Sequence, residues 1–158
     1  MFSICPKPFT PSFAKSLDRV SRIDVKEAVS GDRVKSGFAL LAPGNQHLVL
    51  KRDTHGYFVE LTDEPLVNRH RPSVDILFES ISKCAGRDAL GILLTGMGSD
   101  GAKGLLGMKQ KGAWTIAQKE NTCVVYGMPR VAVELGATCE ILTPEEIITR
   151  LQLLSPKN

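Results

Sequence analysis

The stretch Gly91-Ile-Leu-Leu-Thr-Gly-Met-Gly-Ser-Asp-Gly-Ala102 decides the fold that the sequence predicts. Its short apolar run, residues 92–95, is bounded by glycines and is typical of a buried strand in a parallel sheet covered on both faces. Helical spacing resumes over residues 102–109, directly after the glycines. In sheets built from such strand, loop and helix units, functional groups lie beyond the carboxyl ends of the strands. Asp100 is therefore the first candidate for a functional residue.

Alternating strand and helix patterns in the second half of the chain predict an α/β fold of three layers, doubly wound around a mostly parallel sheet. The first half adds a small antiparallel edge hairpin, residues 46–51 and 57–61. Thr143-Pro-Glu-Glu146 has the spacing of a capping box and predicts the start of a last helix. Other helices are predicted over residues 11–19, 73–84 and 128–135, and other strands over 2–5, 23–29, 37–41, 114–118 and 138–142. With 158 residues, we expect one domain.

Composition excludes several classes of function. The 20 basic and 17 acidic residues are spread along the chain without the basic block that nucleic-acid binding favours. Cys5, Cys84, Cys123 and Cys139 form no C-x-x-C pair, so we expect free thiols in a reducing compartment and neither a metal site nor a cofactor. No signal peptide or membrane-spanning apolar run is apparent. We expect a cytoplasmic protein without membrane insertion or nucleic-acid partner.

The glycine loop also satisfies a dinucleotide-binding pattern. Gly96-Met-Gly-Ser-Asp-Gly101 matches G-x-G-x-x-G, and Glu120 lies 19 residues after Gly101, near the position of a ribose-binding acid. The Asp100 carboxylate would however repel a pyrophosphate, and only 57 residues follow Gly101, which is short for the rest of such a domain. A nucleotide-binding module is therefore the weaker alternative.

Longer motifs surround the loop in a fixed order. They are Thr95-Gly-Met-Gly-Ser-Asp-Gly-Ala102, Ala117-Gln118, Val125-Tyr-Gly-Met-Pro-Arg130, and Ala132 with Gly136; upstream are Phe9-Thr10, Ser12-Phe13-Ala14, Ala42-Pro43-Gly44, His47 and Arg71-Pro-Ser-Val-Asp75. Over about residues 6–154 the chain resembles, in the same order, the catalytic domain of the CheB-type chemotaxis receptor methylesterases.

The resemblance implies hydrolysis of glutamate methyl esters, and deamidation of certain glutamines, on the cytoplasmic helices of methylated chemoreceptors. Members of that family use a serine, a histidine and an aspartate, and the aspartate matches Asp100. Its role would be to hold the imidazole in the correct tautomer and to stabilise the cation that forms. Met97 matches the residue whose backbone N–H is associated with the oxyanion. Whether a receiver-type regulatory domain precedes this segment in a longer product stays open.

The other two triad members have no match in the 158 residues. The family's nucleophile turn, Gly-x-Ser-Thr-Gly-Gly, does not occur, and Ile4 stands at the histidine position within Ser3-Ile4-Cys5-Pro6. We therefore expect a catalytic domain that lacks its first strand and helix and is inactive alone. We expect it to aggregate, to dimerise through an open sheet edge, or to fold only marginally. It is interpreted either as a truncated methylesterase or as a degenerate, non-catalytic module that binds a receptor or regulatory partner.

Other polar residues are interpreted as structural. A nucleophile elbow with Ser99 as its serine would need glycine at position 97, which is methionine. Ser99 is therefore interpreted as a loop residue. His47 and His70 match family motifs other than that of the catalytic histidine, and His55 lies in the predicted hairpin turn. Residues 69–71 form a basic group that is either solvated or meets acidic receptor helices.

Overall fold

Five helices and seven strands make up the regular structure of the described part of the chain, residues 9–154 of a computed structural model. The elements in chain order are α1 (Thr10–Val20), β1 (Asp24–Glu27), β2 (Phe38–Leu41), β3 (His47–Asp53), β4 (Gly56–Thr62), α2 (Val74–Cys84), β5 (Leu90–Leu93), α3 (Ala102–Gln110), β6 (Trp114–Gln118), α4 (Met128–Glu134), β7 (Glu140–Leu142) and α5 (Pro144–Leu154), with 3₁₀ turns at Gly86–Asp88 and Glu120–Thr122. The strand predicted over residues 2–5, and Ile4 within it, lie outside the described residues.

The strands pair mostly in parallel. β5, β6 and β7 form a parallel ladder in which Leu93 pairs with Ala117 and Gln118 with Leu142. β1 and β2 form a second parallel ladder, and β3 and β4 form an antiparallel hairpin. The predicted α/β fold, with a mostly parallel sheet and a small antiparallel hairpin, is confirmed.

Helix α2 lies between two groups of buried side chains. Phe78 of α2 packs with Leu93, Leu105 and Met108 in the core between the β5–β7 ladder and its helices. A second core lies beneath the hairpin, and its buried members are Ala28, Ala42, Leu48 and Val59. Leu77 of α2 packs against both cores, so the helix joins the hairpin to the parallel ladder.

One helix boundary and one strand boundary test the predictions made from local sequence patterns. The capping box at α5 is confirmed, because the Thr143 N–H donates to Glu146 Oε2 at 2.8 Å and the Glu146 N–H donates to Thr143 Oγ1 at 3.3 Å. The strand predicted over residues 92–95 was placed two residues too late, since β5 spans Leu90–Leu93. The Thr95 N–H leaves the ladder and donates to the side chain of Gln118 at 2.7 Å.

None of the helices within residues 9–154 combines the length and the apolar character needed to cross a bilayer.

Candidate functional site

Asp100 follows β5 in the glycine loop and is buried, with 2% of its surface exposed. Its Oδ1 accepts hydrogen bonds from Ser73 Oγ at 2.7 Å, Asn68 Nδ2 at 2.9 Å and the Asp75 N–H at 3.3 Å. Its Oδ2 accepts the N–H of Val74 at 2.7 Å. Three of these donors lie at the start of α2, where unpaired N–H groups and the helix dipole favour a negative charge. Four donors thus hold the buried carboxylate in one orientation.

Asp75 makes the reverse contact to the next helix. Its Oδ1 accepts the N–H of Gly104, in the first turn of α3, at 2.7 Å. Its Oδ2 accepts from Asn68 Nδ2 at 2.8 Å, so a single amide group bridges Asp75 and Asp100. Asn68 adopts a positive φ of 52°, a conformation that asparagine tolerates better than most residues. The two carboxylates and the amide between them tie α2 to α3.

Two glycines allow the helices to approach closely enough for these contacts. Gly101 has a φ of +88°, and a Cβ there would lie 2.6 Å from Val74 Cγ1. A Cβ at Gly104 would lie 2.7 Å from Phe78 Cβ. Both distances are shorter than packed carbon atoms allow, so glycine is required at both positions. Packing thus accounts for these glycines and for the approach of Asp100 to α2.

Met97 lies at the exposed tip of the same loop, with 83% of its surface accessible. The loop is held against the segment after β6 by two backbone hydrogen bonds of Gly96. The Gly96 carbonyl accepts the N–H of Met128 at 2.8 Å, and the Gly96 N–H donates to the Val125 carbonyl at 3.1 Å. Gly127 packs so closely that a Cβ would lie 2.7 Å from the Gly96 oxygen. Among residues 9–154, the N–H of Met97 forms no hydrogen bond. It is available to an acceptor at this edge of the sheet.

Gln118 fastens the loops that follow β5 and β6. It is 5% exposed; its Oε1 accepts the Thr95 N–H at 2.7 Å and its Nε2 donates to the Thr122 carbonyl at 2.8 Å. Thr95 Oγ1 in turn accepts the N–H of Val125 at 2.9 Å. The motif Ala117-Gln118 marked this residue in the sequence, but its bridging role and those of Asn68 and Asp75 were not predicted. Their partners are distant in sequence.

The histidines of the described region have other tasks. His47 is fully buried; its Nδ1 accepts the N–H of Ser73 at 3.1 Å, so its Nε2 carries the hydrogen and donates to the Pro65 carbonyl at 3.0 Å. Both ring nitrogens are therefore occupied by the backbone. His55 is exposed in the turn of the hairpin, and the backbone of His70 pairs with that of Val67.

Ser99 is a neighbour of Asp100 in sequence but takes no part in its hydrogen bonds. The side chain is exposed, and the carbonyl accepts the N–H of Ala102 at 3.2 Å. This contact closes the turn that leads into α3, as expected of a loop serine.

Arg71 and Arg69 of the basic group at residues 69–71 lie in different environments. The Arg71 guanidinium donates to the Asp63 carbonyl at 2.7 Å and to Asn45 Oδ1 at 3.2 Å. It orders the segment between β4 and α2. Arg69 is exposed, with a positive φ of 67°.

Two further ionisable groups border the loop after β6. Burial and, second to it, the charge of Glu120 raise the pKa of the Cys123 thiol above its ordinary value. The same two causes, in the same order, raise the pKa of Tyr126. Both groups are therefore uncharged near neutral pH. Within residues 9–154, no cluster of three or more His, Cys, Asp or Glu side chains could hold a metal ion.

Comparison with known proteins identifies relatives along nearly the whole chain. The family model described as CheB methylesterase matches residues 3–151. A protein-glutamate methylesterase/protein-glutamine glutaminase of Photorhabdus laumondii is 57% identical over 137 residues, which cover 87% of this chain and 39% of the relative. The Escherichia coli K12 protein of the same name is 52% identical over 142 residues, covering 90% of this chain and 41% of its own length. The chain thus spans about two fifths of the length of these curated relatives.

A solved structure matches the fold. The crystal structure of the Thermotoga maritima CheB methylesterase catalytic domain superimposes with a TM-score of 0.93 and 37% sequence identity. The match covers 98% of this chain and 82% of that one.

Proposed function

This chain belongs to the CheB methylesterase family, and we propose that it is part of a protein-glutamate methylesterase/protein-glutamine glutaminase of bacterial chemotaxis. The observation that carries the proposal is the environment of Asp100, a buried carboxylate in the loop between a parallel strand and α3, held by four donors. A triad aspartate must keep one orientation, and these four donors fix the orientation of the Asp100 carboxylate. The substrates would be glutamate methyl esters and certain glutamines of chemoreceptor cytoplasmic helices.

The proposed roles follow the chemistry of a serine hydrolase. A serine oxygen attacks the ester carbonyl, a histidine takes the serine proton, and Asp100 stabilises the resulting imidazolium. The N–H of Met97 faces the developing oxyanion, for which a donor without another partner is required. When the tetrahedral intermediate collapses, the imidazolium returns its proton to the leaving oxygen and methanol is released; water then hydrolyses the acyl-enzyme. We place this reaction in the cytoplasm, where a receiver-type domain of a longer product could regulate it.

The serine and histidine are not supplied by recognisable motifs of this chain. The 158 residues contain no Gly-x-Ser-Thr-Gly-Gly turn, and Ile4 stands where the resemblance places the histidine. We therefore propose that the 158-residue polypeptide alone hydrolyses no ester. Ile4 also supports a second candidate function, a non-catalytic module that binds methylated receptor helices or a regulatory partner, because isoleucine cannot transfer a proton.

An experiment on the chain itself separates these functions from turnover. The purified polypeptide is mixed with methylated chemoreceptor fragments, and both methanol release and binding are measured. We expect methanol at the level of the buffer control. Binding without methanol release supports the non-catalytic module, whereas methanol well above the control contradicts the proposed inactivity.

The catalytic proposal is tested by extending the sequence. DNA upstream of Met1 is sequenced, together with the first ten codons. An in-frame Gly-x-Ser-Thr-Gly-Gly turn and a restored histidine near Ile4 would define a longer polypeptide for assay. In that polypeptide, Asp100→Asn should lower the turnover rate by about 10³–10⁴-fold, because the imidazole loses its orienting acceptor. Unchanged turnover in Asp100→Asn would contradict the role of Asp100.

A further inference from the structure

The two oxygens of the Asp100 carboxylate are unequally occupied. Oδ1 accepts three hydrogen bonds, from Ser73 Oγ, Asn68 Nδ2 and the Asp75 N–H. Among residues 9–154, Oδ2 accepts one, from the Val74 N–H. An ionised carboxylate offers about two acceptor sites on each oxygen. Oδ1 is therefore saturated, and the remaining acceptor site of this buried group is on Oδ2.

We infer that Ser73 and Asn68 are positioning residues that occupy Oδ1 of Asp100 and so leave Oδ2 as the oxygen that accepts the N–H of the base. This inference rests on the proposed function, in which Asp100 pairs with a histidine. Neither residue contacts the reacting atoms; each acts through the orientation of Asp100.

The position of the Ser73 hydroxyl is fixed by a hydrogen bond of the Ser73 backbone. Ser73 is fully buried, and its N–H donates to Nδ1 of His47 at 3.1 Å. His47, also fully buried, is fixed on its other side by the Pro65 carbonyl at 3.0 Å. Rotation of the carboxylate away from Ser73 would leave a buried hydroxyl without its acceptor, which costs more than a bond lost to water. His47 thus acts as a support for Ser73 and through it for Asp100.

Asn68 is held from the opposite side by Asp75. One N–H of its amide donates to Asp100 Oδ1 at 2.9 Å and the other to Asp75 Oδ2 at 2.8 Å. Asp75 cannot shift freely, because its other oxygen accepts the N–H of Gly104 in α3 at 2.7 Å. The amide therefore keeps two carboxylates apart while it bonds both, and the orientation of Asp100 follows the packing of α2 on α3.

The test introduces the missing imidazole into the full 158-residue chain by Ile4→His and records its N–H protons by nuclear magnetic resonance. A hydrogen bond from the imidazole to Asp100 gives a low-field N–H resonance. This resonance reports the orientation of the Asp100 carboxylate relative to the imidazole. Removal of a serine with a purely structural role would leave the resonance unchanged. We expect this resonance in Ile4→His and its loss on adding Asp100→Asn. Adding Ser73→Ala or Asn68→Gly should broaden or abolish it, although Asp100 is retained. Glycine is chosen at position 68 because it accepts the positive φ without strain.

The matched control is Ser82→Ala in the same Ile4→His background. Ser82 is another buried serine of α2, but its Oγ donates to the Glu79 carbonyl and is remote from Asp100 in the hydrogen-bond network. The resonance should persist in this variant, and the amide spectrum of each variant shows whether it is folded. Loss with Asp100→Asn but persistence with both Ser73→Ala and Asn68→Gly overturns the positioning inference and leaves the proposed function intact. A resonance that is absent from Ile4→His, or unaffected by Asp100→Asn, contradicts the proposed pairing itself.

Discussion

Asp75 and Asp100 form a reciprocal pair of contacts, because each carboxylate accepts an N–H from the first turn of a helix beside the other aspartate. Asp100, just before α3, accepts the Val74 N–H of α2 at 2.7 Å, and Asp75 of α2 accepts the Gly104 N–H of α3 at 2.7 Å. Such exchange satisfies N–H groups that neither helix could bond internally. The stability of the α2–α3 pair and the geometry of the candidate site therefore depend on the same two carboxylates.

Removal of the Asp75 carboxylate should destabilise the fold. Asp75→Ala leaves the Gly104 N–H and one N–H of the Asn68 amide without their acceptor, so the free energy of unfolding should fall by about 1–2 kcal/mol. Urea denaturation followed by circular dichroism measures the change. The control is Glu79→Ala on the same helix, whose exposed pair with Lys83 should contribute little. Equal midpoints for the two variants would show that Asp75 has no capping role.

Two glycines of α3 should respond in opposite directions to alanine. A Cβ at Gly104 would meet Phe78 Cβ at 2.7 Å and the Asp75 carbonyl at 3.0 Å, so Gly104→Ala must separate α3 from α2. We expect a loss of about 1–3 kcal/mol, as for other overpacked cores. A Cβ at Gly107 would meet only Ser82 Oγ at 3.8 Å, so Gly107→Ala should gain about 0.5–1 kcal/mol from helix propensity. Thermal unfolding of both variants measures these changes, and stabilisation by Gly104→Ala would contradict the close contact between Gly104 and Phe78.

The sequence predicts well those features whose partners lie close along the chain. The capping box of α5 joins Thr143 to Glu146, only three positions away, and its residue types are visible directly. The strand predicted over residues 114–118 has the observed bounds of β6. The site could not be derived in this way, because Asn68 and Asp100 are 32 positions apart and Val74 and Asp100 are 26 apart. Only the family resemblance indicated Asp100 as the triad acid.

The register of β5 shows how a distant side chain changes a local prediction. Leu94 and Thr95 continue the apolar run, which predicts that the strand extends to Thr95. In the structure Gln118, 23 positions later, takes the Thr95 N–H and ends the ladder at Leu93. The strand pattern contains no information on such a partner. The element is therefore correctly predicted as a strand, but its predicted position is wrong by two residues.

The hairpin should lose stability in acid through Asp53. Both carboxylate oxygens accept from the Arg33 guanidinium at 2.7 Å, and this hydrogen bonding, followed by that of the His55 N–H, lowers the pKa of Asp53 from 3.8 to about 2. Because the folded-state pKa is the lower one, the contribution is complete above the unfolded pKa and is lost as the pH falls from about 4 towards 2. The urea midpoints of the parent and Asp53→Asn should therefore differ at pH 5 and converge near pH 2.

A second variant isolates the cause of that shift. Arg33→Gln removes the charged partner but leaves the His55 N–H in place, so the pKa of Asp53 should rise towards its ordinary value. Carboxyl carbon resonances followed over pH report this directly. An unchanged pKa in Arg33→Gln would assign the shift to the turn backbone.

Gln118→Glu tests whether one buried amide holds the candidate site loops together. Glutamate has nearly the same shape and can still accept the Thr95 N–H, but its ionised form cannot donate to the Thr122 carbonyl, which receives Nε2 at 2.8 Å. With only 5% of the residue exposed, water cannot replace that donor, so we expect the free energy of unfolding to fall by about 1–3 kcal/mol at pH 7.

Hydrogen exchange at Gly96, whose N–H donates to the Val125 carbonyl, should accelerate in Gln118→Glu because the two loops separate. The difference from the parent should shrink as the pH falls, since a protonated glutamate regains an O–H donor, and exposed Gln110→Glu should show neither effect. A pH-independent difference would place the damage in packing and would remove the bridging hydrogen bond as its cause.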